Sequence, residues 1–231
     1  METITLTVSD NTNIQAHVGR PHGVPGKGII IIQEAFGVTD YIRSIVERAA
    51  QQGYLAIAPE LFHRSADPGM ELSYSDYPSV QPHMQALSIA GQVADLAAAH
   101  GWLIEQGIAE TMIAALGFCM GGRASFLANA TLPLACAVSF YGGGIAEHLL
   151  DRTDDLSGPQ ALFWGGKDDH ITPEQTRKVS DALTAARKPF VEATFSEAGH
   201  AFARTADAHY HEPSAKEAWA LADAFLRNNV G

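Results

Sequence analysis

Apolar and polar positions along this chain follow two periods in turn, and the change from one to the other predicts alternating strands and helices. The run from Gly28 to Glu34, GIIIIQE, is mostly apolar and β-branched, as in a strand buried on both faces of a parallel sheet. Asp40 then precedes apolar residues spaced three and four apart, which predicts an amphipathic helix that stops at Gly53. Period-two alternation from Thr3 to Val8 and from Asn13 to Val18 predicts two antiparallel edge strands in a hairpin-like pair.

The same alternation continues to the end of the chain. Further strands are predicted at YLAIAP (54–59), TMIAALGF (111–118), LACAVSFY (134–141), ALFWGG (161–166) and PFVEATF (189–195), with helices at 83–106, after GFCMGG to about 130, from Pro173 and from Pro213. Residues 59–82 have little periodicity and predict a long surface excursion. Alternating units of this number predict a single α/β domain over residues 1–231, an open, doubly wound, mostly parallel sheet with helices on both faces.

Composition narrows the classes of partner. The formal net charge of −11 leaves no basic surplus to neutralise phosphates, so no nucleic-acid partner is expected. The opening METITLTVSD lacks a signal-peptide pattern, and no apolar run reaches the roughly 18 residues of a membrane span, so a cytoplasmic protein without membrane contact is expected. The two cysteines, Cys119 and Cys136, are too few for a disulfide framework and are expected to be free thiols.

Cys119 lies in a turn that suits nucleophilic catalysis. The segment GFCMGG follows a predicted strand and precedes a predicted helix, with Gly117 two residues before the cysteine and Gly121 and Gly122 after it. This is the pattern of a nucleophile elbow, in which the nucleophile has a strained backbone and the glycines avoid collisions with the neighbouring strand and helix. The N–H of Met120 would then face a developing oxyanion. Because free cysteines are often buried, a packed structural cysteine is the alternative.

An elbow nucleophile requires an acid and a base, and both are expected after later strands. Asp168 and Asp169 follow ALFWGG, and His200 follows PFVEATF in the segment FSEAGHAFAR. The order predicts a Cys-His-Asp triad in which either aspartate can orient His200. The other histidines do not fit this order; His209 and His211 form an HYH cluster that lacks a third metal ligand at fixed spacing, so no metal is expected.

Five segments of the chain resemble the dienelactone hydrolase family of α/β hydrolases. They are IIQEAFGV (31–38), PELFHR (59–64), GFCMGG (117–122), SFYGGG (139–144) and GHAFAR (199–204). The resemblance extends over essentially the whole length and implies the α/β-hydrolase fold. It further implies Cys119 as nucleophile, His200 as base and Asp168 as acid, with Asp169 as second choice because the aspartate is doubled. Glu34 matches a glutamate that takes part in activating the nucleophile; capping a helix or pairing with Arg43 is the alternative.

The reaction implied is hydrolysis of a carboxylic ester or lactone through a thioester acyl-enzyme, as in a carboxymethylenebutenolidase. The backbone N–H groups of Ala35 and Met120 would form the oxyanion hole, and no cofactor or metal is required. A side activity on activated phosphotriesters is conceivable on the same chemistry. The partner expected is a small-molecule substrate, with the chain as a monomer or homodimer.

Substrate-binding residues are less clearly marked. Arg204 matches one of two family arginines that grip a substrate carboxylate, but the segment SDYPSVQPHMQ (75–85) has no arginine at the place of the other, and Arg64 is the closest basic residue. We therefore expect specificity broadened toward neutral or aryl esters. Phe36, Tyr77 and His83 are expected to line the substrate pocket; for Tyr77 and His83 the alternative is packing of the excursion.

A second class of function also fits the cysteine. A non-catalytic or redox-sensing protein with an α/β-hydrolase fold would use Cys119 as a reactive thiol at the start of a helix. Such a sensor usually needs a second thiol, and Cys136 lies inside a predicted apolar strand. The complete order of nucleophile, acid and base favours the hydrolase.

Overall fold

The apolar runs predicted as strands are strands in the structure, a computed structural model that describes residues 1–205 and 207–231. It divides into two units, Met1–Ile113 and Ala114–Gly231. The strands of the first unit are β1 (Glu2–Thr7), β2 (Asn13–Gly19), β3 (Lys27–Ile32) and β4 (Tyr54–Pro59), and its helices are α1 (Asp40–Gln51), α2 (Tyr77–Ala86) and α3 (Ile89–Glu105). A 3₁₀ turn at Glu110–Met112 follows α3.

The first four strands are ordered β1-β2-β4-β3. Strand β2 pairs antiparallel with both β1 and β4, whereas β3 and β4 are parallel. The prediction of antiparallel N-terminal strands is confirmed, but the prediction that both are edge strands is wrong for β2. Its residues Ile14, Ala16 and Val18 are buried, which requires neighbours on both sides, whereas most of β1 is exposed.

The stretch between β4 and α3 also differs from the prediction. The expected helix over 83–106 is two helices, and α2 begins inside the segment expected to be irregular. Asp76 caps α2 by accepting a hydrogen bond from the Ser79 amide. Ser88 caps α3 in the same way, with its Oγ 2.9 Å from the Gly91 nitrogen. Because a serine N-cap has an extended backbone, the chain cannot continue one helix through this point.

The second unit alternates strands and helices without exception. Its strands are β5 (Ile113–Phe118), β6 (Cys136–Phe140), β7 (Gln160–Gly165) and β8 (Phe190–Phe195), and its helices are α4 (Met120–Thr131), α5 (Ile145–His148), α6 (Pro173–Ala185) and α7 (Glu212–Val230). A 3₁₀ segment covers Leu150–Asp155. All neighbouring strands in the order β5-β6-β7-β8 are parallel.

Parallel pairing determines where the chemistry lies. The carboxyl ends of parallel strands meet at one edge of the sheet, where α/β proteins place their sites. Cys119 follows β5, Asp168 follows β7 and His200 follows β8. The predicted fold class, a mostly parallel sheet alternating with helices and preceded by antiparallel strands, is confirmed.

Candidate active site

Cys119 joins β5 to α4 in a backbone conformation that side chains rarely adopt. Its dihedral angles are φ 54° and ψ −118°, and it is the N-cap of α4. The Cys119 amide donates to the Phe140 carbonyl over 3.0 Å, and the Cys119 carbonyl accepts from the amides of Gly122 and Arg123. Such a conformation costs about 1–3 kcal/mol and persists only where the surrounding structure enforces it. The side chain is partly exposed, so the thiol is accessible.

Two glycines make this turn possible. A Cβ on Gly117 would lie 1.9 Å from the carbonyl oxygen of Gly121, and a Cβ on Gly122 would lie 2.7 Å from that of Phe140. Both distances are far inside van der Waals contact. The glycines of the motif are therefore required by the close approach of β5, β6 and the first turn of α4.

His200 and Asp168 are joined by a short hydrogen bond. The Nδ1 of His200 lies 2.7 Å from Oδ2 of Asp168, whose side chain is 0% exposed. The other oxygen of Asp168 accepts from the amides of His170 and Ile171, at 2.8 and 3.1 Å. These bonds hold the carboxylate in one orientation. Asp169, the second choice from the sequence, is exposed, so the structure brings Asp168 to the imidazole.

The charges around His200 favour its protonated form. Burial by itself lowers the pKa of His200, but Cys119 and Asp168 together outweigh burial and raise this pKa to about 10. The interaction with Cys119 likewise favours the charged imidazole. Burial opposes ionisation of Asp168, yet its hydrogen bond and charge interaction with His200 hold the pKa of Asp168 below its usual value. Asp168 thus binds His200, and His200 in turn interacts with Cys119.

Of the two expected oxyanion-hole donors, Met120 is the first residue of α4. Within residues 1–205 and 207–231, the Met120 amide has no hydrogen-bond acceptor, as expected of a donor at the start of a helix. Ala35 is buried just after β3, in a turn where Glu34 and Gly37 form a β-bridge. Ala35 belongs to the first unit and Met120 to the second.

Glu34, the predicted activating carboxylate, is completely buried. Arg43, its alternative partner, donates instead to Glu71, Asp40 and the Val38 carbonyl. The hydrogen bonds of Arg43 that the structure shows thus go to acceptors other than Glu34. A buried carboxylate requires hydrogen bonds or a charged neighbour, because desolvation is otherwise very costly.

The predicted pocket residues of the first unit fall into two groups. The Phe36 ring centroid lies 5.8 Å from that of Tyr77 and 4.9 Å from that of Tyr74, both edge to face. Tyr77 is 49% exposed, so this cluster presents an aromatic surface to solvent. His83 instead lies against Phe62, with ring centroids 5.5 Å apart, and its Nδ1 is 2.9 Å from the hydroxyl of Ser65.

Arg204 is buried in an ion pair. Its Nε and Nη2 donate to the same oxygen of Asp207, at 3.1 and 2.9 Å, and the two side chains are only 6% and 7% exposed. Asp207 also accepts from the amide of His209. Asp207 was not predicted from the sequence, although its position three residues after Arg204 indicates an ion pair. The opposing charge beside Arg204 weakens its attraction for a further anion.

Arg64, the closest basic residue to the absent second arginine, is also engaged. Two of its nitrogens donate to the two oxygens of the fully buried Asp95, at 2.8 and 2.9 Å. Asp10 accepts from Arg64 on the other side. His63 completes the cluster with a 3.0 Å contact to Asp95. Arg64 therefore anchors the segment after β4.

The HYH cluster divides between different partners. His209 lies 2.6 Å from Asp207, and His211 lies 2.8 Å from the hydroxyl of Ser214. In the part of the chain that the structure describes, no group of three or more His, Cys, Asp or Glu side chains is arranged to hold a metal. The same described residues contain no helix with the length and apolar character to cross a membrane.

A strained cysteine between a parallel strand and a helix, followed in chain order by a carboxylate and the histidine that it holds, is the arrangement of α/β hydrolases. The model of the dienelactone hydrolase family matches residues 14–230. A Salmonella typhimurium protein assigned as a carboxymethylenebutenolidase is 35% identical over 227 residues, which cover 94% of this chain and 83% of that protein. The carboxymethylenebutenolidase of Pseudomonas putida is 33% identical, covering 90% of this chain and 89% of that one.

A crystal structure agrees over the whole length. A Klebsiella pneumoniae protein assigned to the dienelactone hydrolases superposes with a TM-score of 0.88 at 34% identity, covering 98% of both chains. The chain therefore belongs to the dienelactone hydrolase family and has its α/β-hydrolase fold.

Proposed function

We propose that this protein hydrolyses carboxylic esters and lactones with Cys119 as nucleophile, His200 as base and Asp168 as the acid that orients the histidine. The observation that carries the proposal is the 2.7 Å hydrogen bond between Asp168 and His200, whose imidazole interacts electrostatically with Cys119 at a strained elbow. Membership of a family whose relatives are named carboxymethylenebutenolidases supports the same reaction class.

The proposed reaction has two halves. The Cys119 sulfur attacks the substrate carbonyl, and its proton resides on His200, whose raised pKa favours the imidazolium. The amide of Met120, which lacks another acceptor within the described residues, donates to the developing oxyanion, together with the amide of Ala35. When the tetrahedral intermediate collapses, the C–O bond breaks and the alcohol leaves with the proton from His200. The product is a thioester on Cys119.

Water completes the cycle. His200, now neutral, takes a proton from water, which attacks the thioester carbonyl; collapse breaks the C–S bond and releases the acid. His200 is then protonated and the Cys119 sulfur is free again, as at the start of the cycle. A lactone is opened by the same steps, and its acid and alcohol leave as one hydroxy acid. Asp168 keeps Nδ1 of His200 protonated throughout, so that the other ring nitrogen faces the sulfur and the substrate.

Glu34 is assigned to activation of the nucleophile. Its complete burial and the commitment of Arg43 to other carboxylates support a role other than a surface ion pair. Replacement by glutamine should reduce kcat/KM for an aryl ester by about 10²-fold or more, the lower end of the range for general acid–base contributions. An unchanged pH profile and rate in this variant would remove Glu34 from the mechanism.

The proposed substrate range extends to neutral and aryl esters. Arg204 faces the opposing charge of Asp207, and Arg64 is held between Asp95 and Asp10, which weakens any grip of these two arginines on a carboxylate. The aromatic cluster around Phe36 and Tyr77 suits apolar acyl or aryl groups. His83, which contacts Phe62 and not this cluster, is proposed as a further substrate-binding residue.

Activated phosphotriesters are proposed as side substrates only. The sulfur could displace an aryloxide from phosphorus while the same amides stabilise the phosphoryl oxygen. Paraoxon should then release at most one equivalent of nitrophenol rapidly, with slow turnover afterwards. Absence of any release that depends on Cys119 would exclude this activity.

The redox-sensing alternative has less support. Cys136 is 0% exposed in β6, and burial raises the pKa of its thiol to about 12, so it is neither accessible nor a thiolate at neutral pH. The decisive experiment compares hydrolysis of 4-nitrophenyl acetate by the wild type, Cys119→Ala and the matched control Cys136→Ala. We expect Cys119→Ala to lose about 10³-fold or more in kcat/KM and the control to stay within about threefold. Equal slow rates in wild type and Cys119→Ala would overturn the hydrolase proposal.

A further inference from the structure

Arg123 is a charged side chain near the nucleophile that the proposed mechanism does not use. It lies one turn of α4 after Cys119, and its amide donates to the Cys119 carbonyl over 3.2 Å. Four residues of α-helix correspond to a rise of about 6 Å, so the two residues share one face of the helix start. The positive charge of Arg123 interacts directly with Cys119.

The fold makes room for the guanidinium at Gly144, in the loop after β6. A Cβ on Gly144 would lie 2.8 Å from Nη1 of Arg123 and 3.2 Å from its Cδ. Any other residue at 144 would displace the arginine from this position. Gly144 and Glu147 also line a small pocket beside Ile171, in the loop that carries Asp168. The guanidinium therefore lies beside the loop that follows β6.

Arg123 differs from Arg64 and Arg204 in its side-chain contacts within the described residues. Within residues 1–205 and 207–231, no side-chain hydrogen bond or ion pair of Arg123 occurs, whereas Arg64 and Arg204 each bind a carboxylate. Glu147 attracts Arg123 without reaching ion-pair distance, and its carboxylate accepts from Gln175. Five N–H donors therefore remain for a ligand.

The environment strengthens such an interaction. Arg123 is partly buried, and burial lowers the pKa of its guanidinium because water is lost around the charge. A guanidinium remains charged at neutral pH even so. A partly desolvated cation attracts a carboxylate more strongly than an exposed one, and its planar donors match the two oxygens.

The geometry points to Arg123 as the binding site for a carboxylate carried by the substrate, so that esters with a free carboxylate are preferred over their neutral counterparts. This inference rests on the proposed function and names a substrate class for the same site. It is compatible with turnover of neutral esters, which only lack this additional contact. Arg123 would supply the carboxylate contact of the family arginine that is absent from residues 75–85. Arg123 follows Cys119 in the sequence, whereas residues 75–85 precede it.

Paired substrates test this inference. The panel comprises aryl hemiesters of glutaric and adipic acids and 3- and 4-acetoxybenzoate, each compared with the compound in which the free carboxylate is methylated. At least one anionic member should have a KM about tenfold below that of its methylated partner, as expected for a charge-assisted contact. That advantage should weaken as ionic strength rises.

Arg123→Gln should reduce this preference to within about twofold, and Arg123→Lys should keep part of it, because lysine retains the charge without the planar donors. Arg152→Gln, which removes a partly buried arginine of the same unit, should keep the wild-type preference. Thermal midpoints of all variants check that the fold is intact. The preference is the ratio of two KM values measured on one preparation of each variant. A misfolded fraction of the protein therefore does not change this ratio.

Two results would overturn the inference. One is a wild type that hydrolyses neutral esters but prefers no anionic member; the other is a preference that survives in Arg123→Gln or disappears only in Arg204→Gln. A wild type that hydrolyses no ester at all, or does so equally well as Cys119→Ala, would instead refute the proposed function. The two failures are therefore distinguishable.

Discussion

Replacement of Asp168 by asparagine is the most direct perturbation of the candidate triad. The variant keeps the size of the side chain, and its amide oxygen can still accept from the amides of His170 and Ile171. In that orientation its NH₂ group faces Nδ1 of His200, so a donor meets a donor across 2.7 Å. The imidazole must then change its tautomer or lose the contact.

The expected magnitude follows from this hydrogen bond. A charge-assisted hydrogen bond contributes about 1.5–3 kcal/mol, and 1.36 kcal/mol corresponds to one pKa unit, so the pKa of His200 should fall by about one to two units. Its value in the wild type is about 10. Because the wrong nitrogen then faces the sulfur, kcat/KM for a neutral aryl ester should fall by about 10²–10⁴-fold.

The assay combines kinetics with an NMR titration of the His200 ring. Asp169→Asn is the matched control, because Asp169 is adjacent, equally charged and exposed. It should change kcat/KM by less than about threefold, as is usual for surface substitutions. A larger loss in Asp169→Asn than in Asp168→Asn would refute the assignment of the acid, and an unchanged His200 pKa in Asp168→Asn would refute the electrostatic reasoning.

Three further substitutions test the structure itself. Gly117→Ala places a Cβ 1.9 Å from a carbonyl oxygen and should lower the free energy of unfolding in urea by about 1–3 kcal/mol or more. The control Gly101→Ala, whose Cβ would meet no atom of the described residues within 4 Å beyond the backbone of its own helix, should be neutral or stabilising. Equal effects of the two substitutions would contradict the packing argument. Ser88→Ala removes the cap of α3 and should cost about 1 kcal/mol, measured in the same way; no loss would argue against the cap. Burial raises the pKa of Asp207, but its hydrogen bonds with His209 and Arg204 outweigh burial and lower this pKa. The ionised Asp207 therefore stabilises the folded state above its unfolded pKa, near 3.8, and this stabilisation is lost as pH falls through the lower folded pKa. The unfolding free energy of the wild type should accordingly fall more steeply below about pH 4 than that of Asp207→Asn, and parallel curves would refute this account.

Much of the fold was predictable because it depends on local patterns. The buried run at β3 and the apolar strands β5 to β7 have the composition of parallel strands covered on both faces. The errors occurred where the determining interaction was a single side-chain cap or a strand pairing remote in sequence. Ser88 breaks the expected helix by capping, and β2 is interior only because β4 pairs with it. Neither effect is visible in hydrophobic periodicity.

The candidate site divides in the same way. The sequence by itself determined that a cysteine stands between glycines at the end of a strand, and that aspartates and a histidine follow later strands in the order of an α/β hydrolase. Only the tertiary structure distinguishes the two adjacent aspartates, because Asp168 contacts His200 whereas Asp169 is exposed to solvent. It also decided which arginines have counter-ions. Ion pairing depends on distances between side chains remote in sequence, as between Arg64 and Asp95, and such distances exist only once the chain has folded.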